Sequence, residues 1–307
     1  MNYLVKTFCL VCNHDKIRKV LKEIEEDIFK PKDAHNMTII LETMNSWKKI
    51  FYFYIGICVV TILLWGIFPI IDYNETSLPF NYWYPFDVTK SPVHEFVFTY
   101  ELLGLLMVAV SHVSMDALMT GILAFIAAEV DTLNAMLYSI SGANAIGSYH
   151  DMSNQANEEQ LHSILLHKKL KKLVEKMNEI LAVPLFIQSV LGAIILCLAM
   201  YKLTKVTPMS GEALTYINYY IAMLIQLSVY FWYGNDILWK SDDLSKSAYQ
   251  CQWVDKKRSF KRNLLYFMLA THDPLKIYGG HFVVLSMDQL VAIVKFSWSC
   301  FTLLKSV

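Results

Sequence analysis

Residues 180–201 read ILAVPLFIQSVLGAIILCLAMY, 22 positions without an Asp, Glu, Lys or Arg. A helix needs about 20 such residues to cross the roughly 30 Å of hydrocarbon in a bilayer, so this stretch reads as a membrane span. The same pattern recurs along the chain. Residues 51–71 and 213–235 are also free of charge, residues 96–126 are interrupted only by Glu101 and Asp116, and residues 282–304 only by Asp288 and Lys295. Apolar residues make up 55% of the 307 positions and aromatics 14%, too much for a water-exposed surface to conceal. The expected fold is an all-α membrane protein, a helical bundle of five spans in contact with the lipid bilayer.

The net charge of zero points to no nucleic-acid partner, but the 27 Lys and Arg are unevenly spread. Residues 1–50, 127–179 and 236–281 together carry 22 of them. The intervening loops and the tail carry four, and Lys295 lies inside the fifth stretch. Basic residues concentrate in cytosolic loops, which places the amino terminus in the cytosol and the carboxyl terminus outside. The sequon Asn74-Glu75-Thr76 then falls on the outer side, where Asn74 can accept a glycan.

Between residues 13 and 45, Ile17, Val20, Leu21, Ile24, Ile28 and Phe29 recur three and four apart, predicting an amphipathic cytosolic helix that ends near Pro31. Helical character continues past Ile126 to about Leu137. A further helix is expected from about Glu158 to Asn178, containing the basic run from Leu166 to Val174. That run has two readings, a calmodulin or anionic-lipid binding helix and a cytosolic extension of the third span; the extension is favoured. Helices this long project below the bilayer and pack there as a bundle.

Enzyme chemistry finds no foothold. There is no glycine-rich phosphate loop and no G-x-S-x-G elbow, and His94-Glu95 is followed by Phe98 where a zinc-protease motif needs a second histidine. Six cysteines form no evident disulfide framework, and Cys9-x-x-Cys12 stands alone without the second pair a zinc site needs. No cofactor and no metal is expected. His112 and Asp116, one turn apart within the second span, read either as a polar contact near a ligand cavity or as a satisfied interhelical hydrogen bond. Tyr216, Tyr219, Tyr220 and Met223, with Trp65 and Phe68, read either as an interfacial aromatic belt or as the lining of a cavity for small apolar molecules.

The densest pattern follows the fourth span. Tyr233-Gly234-Asn235-Asp236 leads through Ala248-Tyr249, Trp253, Arg262, Met268, Pro274 and Gly279-Gly280 to Phe282 and Leu285-Ser286. It closes on Lys295-Phe296-Ser297-Trp298-Ser299-Cys300-Phe301-Thr302-Leu303-Leu304-Lys305. Over these roughly 75 residues the chain resembles the insect odorant receptors, whose final pore-lining span ends in a Ser-x-Phe-Thr-Leu-Leu type of sequence.

The resemblance implies an odorant-gated, non-selective cation-channel subunit of the plasma membrane in an olfactory neuron dendrite. Its partners would be a small volatile apolar ligand and a shared co-receptor in a heterotetramer. Residues 127–179 lack the long insertion of the co-receptor, which implies the variable, ligand-tuning subunit. Family position implies a ligand site at Trp65, Phe68, Met107, Ser111, Tyr219, Tyr220 and Met223, and a pore gate at Leu303, Ser306 and Val307. The family has seven spans, and the first two are missing here, with Met1 to Cys12 similar to the end of the second. The expected organisation is a cytosolic segment 1–50 with that remnant and two spans within 51–126. Cytosolic anchor helices follow within 127–281, with spans 180–201 and 213–235, and the pore-lining span is 282–307. A non-conducting truncated or regulatory subunit is the alternative.

Overall fold

In a computed structural model the structure describes residues 2–31, 33–71, 78, 82–88, 90–140, 149–207, 210–280 and 282–306. The sequon residue Asn74 and the gate residue Val307 lie outside the described residues, as do the side chains of Phe68 and Ser306.

Among the described residues the chain forms α1 (Asn2–Cys12), α2 (His14–Ile24), a short 3-10 turn (Asp27–Phe29), α3 (Ala34–Ile71), α4 (Val93–Ser139), α5 (Tyr149–Leu203), α6 (Gly211–Asp242), α7 (Leu244–Gln250) and α8 (Arg258–Ala270). A two-stranded hairpin, β1 (Tyr278–Gly279) and β2 (Val283–Val284), precedes α9 (Met287–Ser306). Five of these helices are long and apolar enough to cross a membrane. Four of them contain the stretches expected from the sequence, and the fifth, α9, begins at Met287 rather than at residue 282 because Val283 and Val284 pair in the hairpin, so the chain is a multi-pass helical membrane protein.

The helices run far beyond the spans. At ~1.5 Å per residue, the 55 residues of α5 measure about 80 Å, more than twice the hydrocarbon thickness. The helix expected from about Glu158 is therefore continuous with the third span, beginning at Tyr149. The first span likewise begins at Ala34 rather than near residue 51, while the amphipathic helix before it stops at Ile24, short of Pro31.

The packed core sits mainly at the basic end of the bundle. Leu133, Leu137, Leu166, Leu170, Leu173, Met177, Ile237 and Phe260 are fully buried there. Toward the other end, Leu103, Met107 and Val110 on α4 and Val59, Val60 and Leu63 on α3 are exposed. The contrast follows from the two solvents: water drives apolar side chains inward, whereas lipid is as apolar as the side chains themselves.

The basic run of α5 is resolved by this packing. Leu166, His167, Leu170, Leu173 and Val174 are buried, and His167 meets Phe267 of α8 edge-on at 5.5 Å. Lys169 binds Glu26 at 2.6 Å, Lys176 binds Glu23, and Lys16 of α2 binds Glu179 at 2.9 Å. The apolar face that calmodulin would grip is already used within the chain. Beside these pairs, on the surface, the Lys30 ammonium holds the Asp27 carboxyl below its ordinary range.

The carboxyl-terminal pattern is a docking device for α9. Pro184 of α5 lacks an amide hydrogen, and nearby the hairpin packs its backbone directly on that helix: Gly280 N donates to Ala182 O at 2.7 Å. Gly280 has φ +64, a left-handed value that glycine adopts without a Cβ penalty. Asn178 of α5 pins the chain entering β1, its side chain donating to Lys276 O at 2.8 Å and accepting from Tyr278 N at 2.9 Å. Asn235 of α6 then accepts from Met287 N at 3.2 Å, capping the first turn of α9 from another helix. Asn235→Ala is expected to destabilise the protein by about 1 kcal/mol, the usual worth of a helix cap, measured as a lower apparent Tm of the purified protein.

Candidate ligand-binding cavity

Three long helices turn one face each toward a common space. On α3 the positions Tyr54, Cys58, Thr61 and Trp65 recur at helical spacing; on α4 Leu105, Val108, His112 and Val113; on α6 Tyr216, Tyr219, Met223 and Gln226. Together with Tyr3 of α1 and Ile195, Leu198 and Lys202 of α5, they line an open-sided cavity of about 590 Å³. This lies within the usual size range of small-molecule sites, and its walls are predominantly apolar and aromatic. Asn218 of α6 ties one edge to α3, donating to Thr61 Oγ1 at 2.6 Å and to Ile57 O at 3.4 Å.

The floor is polar and buried. Asp116 accepts from Lys6 Nζ at 2.5 Å, from Gln226 Nε2 at 2.8 Å and from Tyr230 Oη at 2.8 Å. Lys6 is 4% exposed and Asp116 3%, so each charge depends on the other for compensation. His112 Nε2 lies 3.2 Å from Lys6 Nζ and 2.9 Å from Gln226 Nε2. Two donors on one ring nitrogen make it the acceptor, which leaves the imidazole proton on Nδ1. His112 and Gln226 line the cavity directly, while Asp116 sits beneath them. Both sequence readings of His112 and Asp116 therefore hold in part: the pair is hydrogen-bonded between helices, and it adjoins a cavity. Glu101, the other charge in this span, accepts a hydrogen bond from Tyr84 at 2.8 Å.

Of the residues singled out from the sequence, Trp65, His112, Tyr216, Tyr219 and Met223 line the cavity. Met107, Ser111 and Tyr220 do not. The lining stripe on α4 is Leu105, Val108, Ala109, His112 and Val113, and Met107, 72% exposed, points away from it. Ser111 gives its hydroxyl to Met107 O at 2.8 Å. Tyr220 is one position off the α6 stripe and packs against the core. Neighbouring helical positions are separated by about 100°, so residues at the same depth face different sides of the helix. Lys6, Gln226 and Tyr230 were missed, although a lone Lys in an apolar segment and a Gln within a charge-free span both demand partners. Leu303, on the last turns of α9, is 68% exposed in the single chain.

A family model described as 7tm Odorant receptor matches residues 1–298. Odorant receptor 46a, isoform A, of Drosophila melanogaster is 24% identical over 309 residues, covering 99% of this chain and 79% of that protein. Odorant receptor Or1 of Anopheles gambiae is 22% identical and covers 96% of this chain and 76% of its own length. These relatives are receptors, not enzymes. Among solved structures, the olfactory receptor OR5 from Machilis hrabei in complex with eugenol superposes with a TM-score of 0.86 at 14% identity, covering 99% of this chain and 78% of that one. The same receptor in a second structure gives 0.85. With its family model matched over nearly the whole chain and this fold shared, the protein belongs to the insect 7tm odorant receptor family.

Proposed function

We propose that this chain is the ligand-tuning subunit of an odorant-gated cation channel. It would work with a shared co-receptor in a heterotetramer of the plasma membrane, its amino terminus in the cytosol. The observation that carries the ligand half of the reading is the 590 Å³ cavity with apolar walls and a polar floor. Such a site takes a small volatile molecule that is mostly hydrocarbon with one oxygen, the carbon frame against Trp65, Tyr219 and Met223 and the oxygen toward the Nδ1–H of His112. A ligand opens a channel only through differential affinity for the open state, so the cavity must change shape with α9.

The pore half is supported by α9 itself. Asp288, Ala292, Lys295, Ser299 and Thr302 are all exposed and repeat three and four apart, which makes one stripe along the helix. A membrane-crossing helix that carries Asp and Lys on one exposed stripe turns it toward water or another subunit rather than lipid. The gate in this reading is Leu303, Ser306 and Val307, a ring of small and apolar groups from several subunits that blocks ions by dewetting.

The test is co-expression with the co-receptor and recording of odorant-evoked currents against a panel of alcohols, ketones and matched hydrocarbons. Tyr219→Ala is expected to shift the half-maximal concentration of active ligands by about tenfold, equivalent to ~1.4 kcal/mol of binding. Met107→Ala should leave it unchanged. Equal responses of both variants and the parent would remove the cavity from ligand recognition; expressed protein without current would favour the regulatory alternative.

A further inference from the structure

The last apolar helix, α9, carries a cation at mid-length. Lys295 is the ninth of its 20 residues, about 12 Å along the axis from Met287 and about 16 Å from Ser306 at ~1.5 Å per residue. A lysine near a helix end escapes lipid by reaching the interface, but one this deep needs an acid or water.

The crossing segments packed around it supply no acid. α9 packs against α5 and α6, and residues 180–201 and 213–235 of those helices contain no Asp or Glu. On α9 itself the one acid is Asp288, seven positions earlier and roughly 10 Å along the axis, well beyond the ~4 Å of an ion pair. Lys295 is exposed in the single chain, and so are Ala292 and Ser299, one turn away on either side of it along the same stripe. Small side chains on both flanking turns leave room for the water that an ammonium holds.

We propose, resting on the pore half of the reading above, that Lys295 stands as a fixed positive charge in an aqueous lumen along α9 and makes this chain's pore favour monovalent over divalent cations. Coulomb energy scales with the product of the charges, so a fixed charge repels a divalent ion twice as strongly as a monovalent one. Charge-lined clefts commonly hold potentials of a few kT per unit charge; about one kT depletes sodium about threefold and calcium about sevenfold, lowering the calcium-to-sodium permeability ratio about threefold. Asp288 offsets little of this, because roughly 10 Å exceeds the Debye length of ~8 Å in physiological salt.

The experiment is co-expression with the co-receptor, activation by the panel of alcohols and ketones, and reversal potentials with sodium and then calcium as the external permeant cation. Lys295→Gln is expected to raise the calcium-to-sodium permeability ratio about threefold, and Lys295→Glu to raise it further. Lys295→Arg keeps the charge and should hold the ratio of the parent. A side chain with a packing role alone would not sort three polar replacements by charge. None of the three strands a counter-charge on α9 or its packed neighbours, so the fold is expected to persist. Parent currents with one ratio for all four proteins would overturn the proposal and leave the pore reading standing, with the ammonium paired to an acid of the co-receptor. A ratio that falls in Lys295→Gln would overturn it through the sign. A parent that passes no current would take the pore reading down with it, so the two failures are separable.

Discussion

Gly234→Ala is expected to undo the seating of the final helix. A Cβ at this position would lie 2.5 Å from Leu285 Cβ and 3.1 Å from the Leu285 carbonyl oxygen. Leu285 is itself 1% exposed and bonded through its amide to Ile277 O at 2.9 Å, so neither the side chain nor the backbone has room to retreat. Overpacking a tight contact costs typically 1–3 kcal/mol, and a backbone neighbour puts this site at about 3 kcal/mol. The immediate consequence is displacement of the junction between β2 and α9, which breaks the Asn235 cap on Met287. Gly104→Ala is the matched control, because a Cβ there meets nothing within 4 Å. The apparent Tm of the purified protein should fall for the first variant and hold for the second. Equal Tm values would mean that α6 and the α9 junction separate easily, and that Gly234 is not a close-packing point.

Asp116→Ala should be at least as damaging, for an electrostatic reason. The substitution leaves the Lys6 ammonium 4% exposed without its counter-charge, and Gln226 and Tyr230 without an acceptor. Removing one partner of a buried ion pair costs about 3–5 kcal/mol. A double variant, Lys6→Met with Asp116→Leu, replaces both charges by apolar groups of similar size and is expected to recover most of that loss. The comparison of single and double variants by thermal unfolding separates the pair's mutual compensation from its net worth. If Lys6→Met alone is as damaging as Asp116→Ala and the double variant recovers nothing, the network stabilises through Gln226 and Tyr230 rather than through the ion pair. Either way the readout concerns the floor of the ligand cavity, so ligand responses should be lost with the fold in Asp116→Ala and regained in the double variant.

Much of the architecture was legible in the residues. Charge-free runs near 20 residues long mark helices in lipid because an unpaired backbone or charged group there has no water to bind. The runs 51–71, 96–126, 180–201 and 213–235 lie wholly in helices, and the run 282–304 does so from Met287 onward. The pattern from Tyr233 to Leu285 was equally legible as a pattern, but its meaning is geometric. Gly234 is small because Leu285 comes within contact, Asn235 is polar because α9 begins beside it, and Gly280 turns left-handed to put its amide on Ala182.

The sequence by itself determined the solvent, the helical class, the five apolar stretches that become candidate spans among the described residues and the uneven spread of Lys and Arg, since these depend only on local composition and on the cost of charge in hydrocarbon. The tertiary structure decided which face of each helix looks inward. Rotation about a helix axis is invisible to hydropathy when lipid and protein interior are both apolar, so composition does not distinguish Met107 and Ser111 from His112 and Val113, which line the cavity. Pairings across long separations, such as Lys6 with Asp116 or Lys176 with Glu23, likewise follow only from the packing of whole helices, because nothing in the neighbouring residues specifies a partner 110 or 153 positions away.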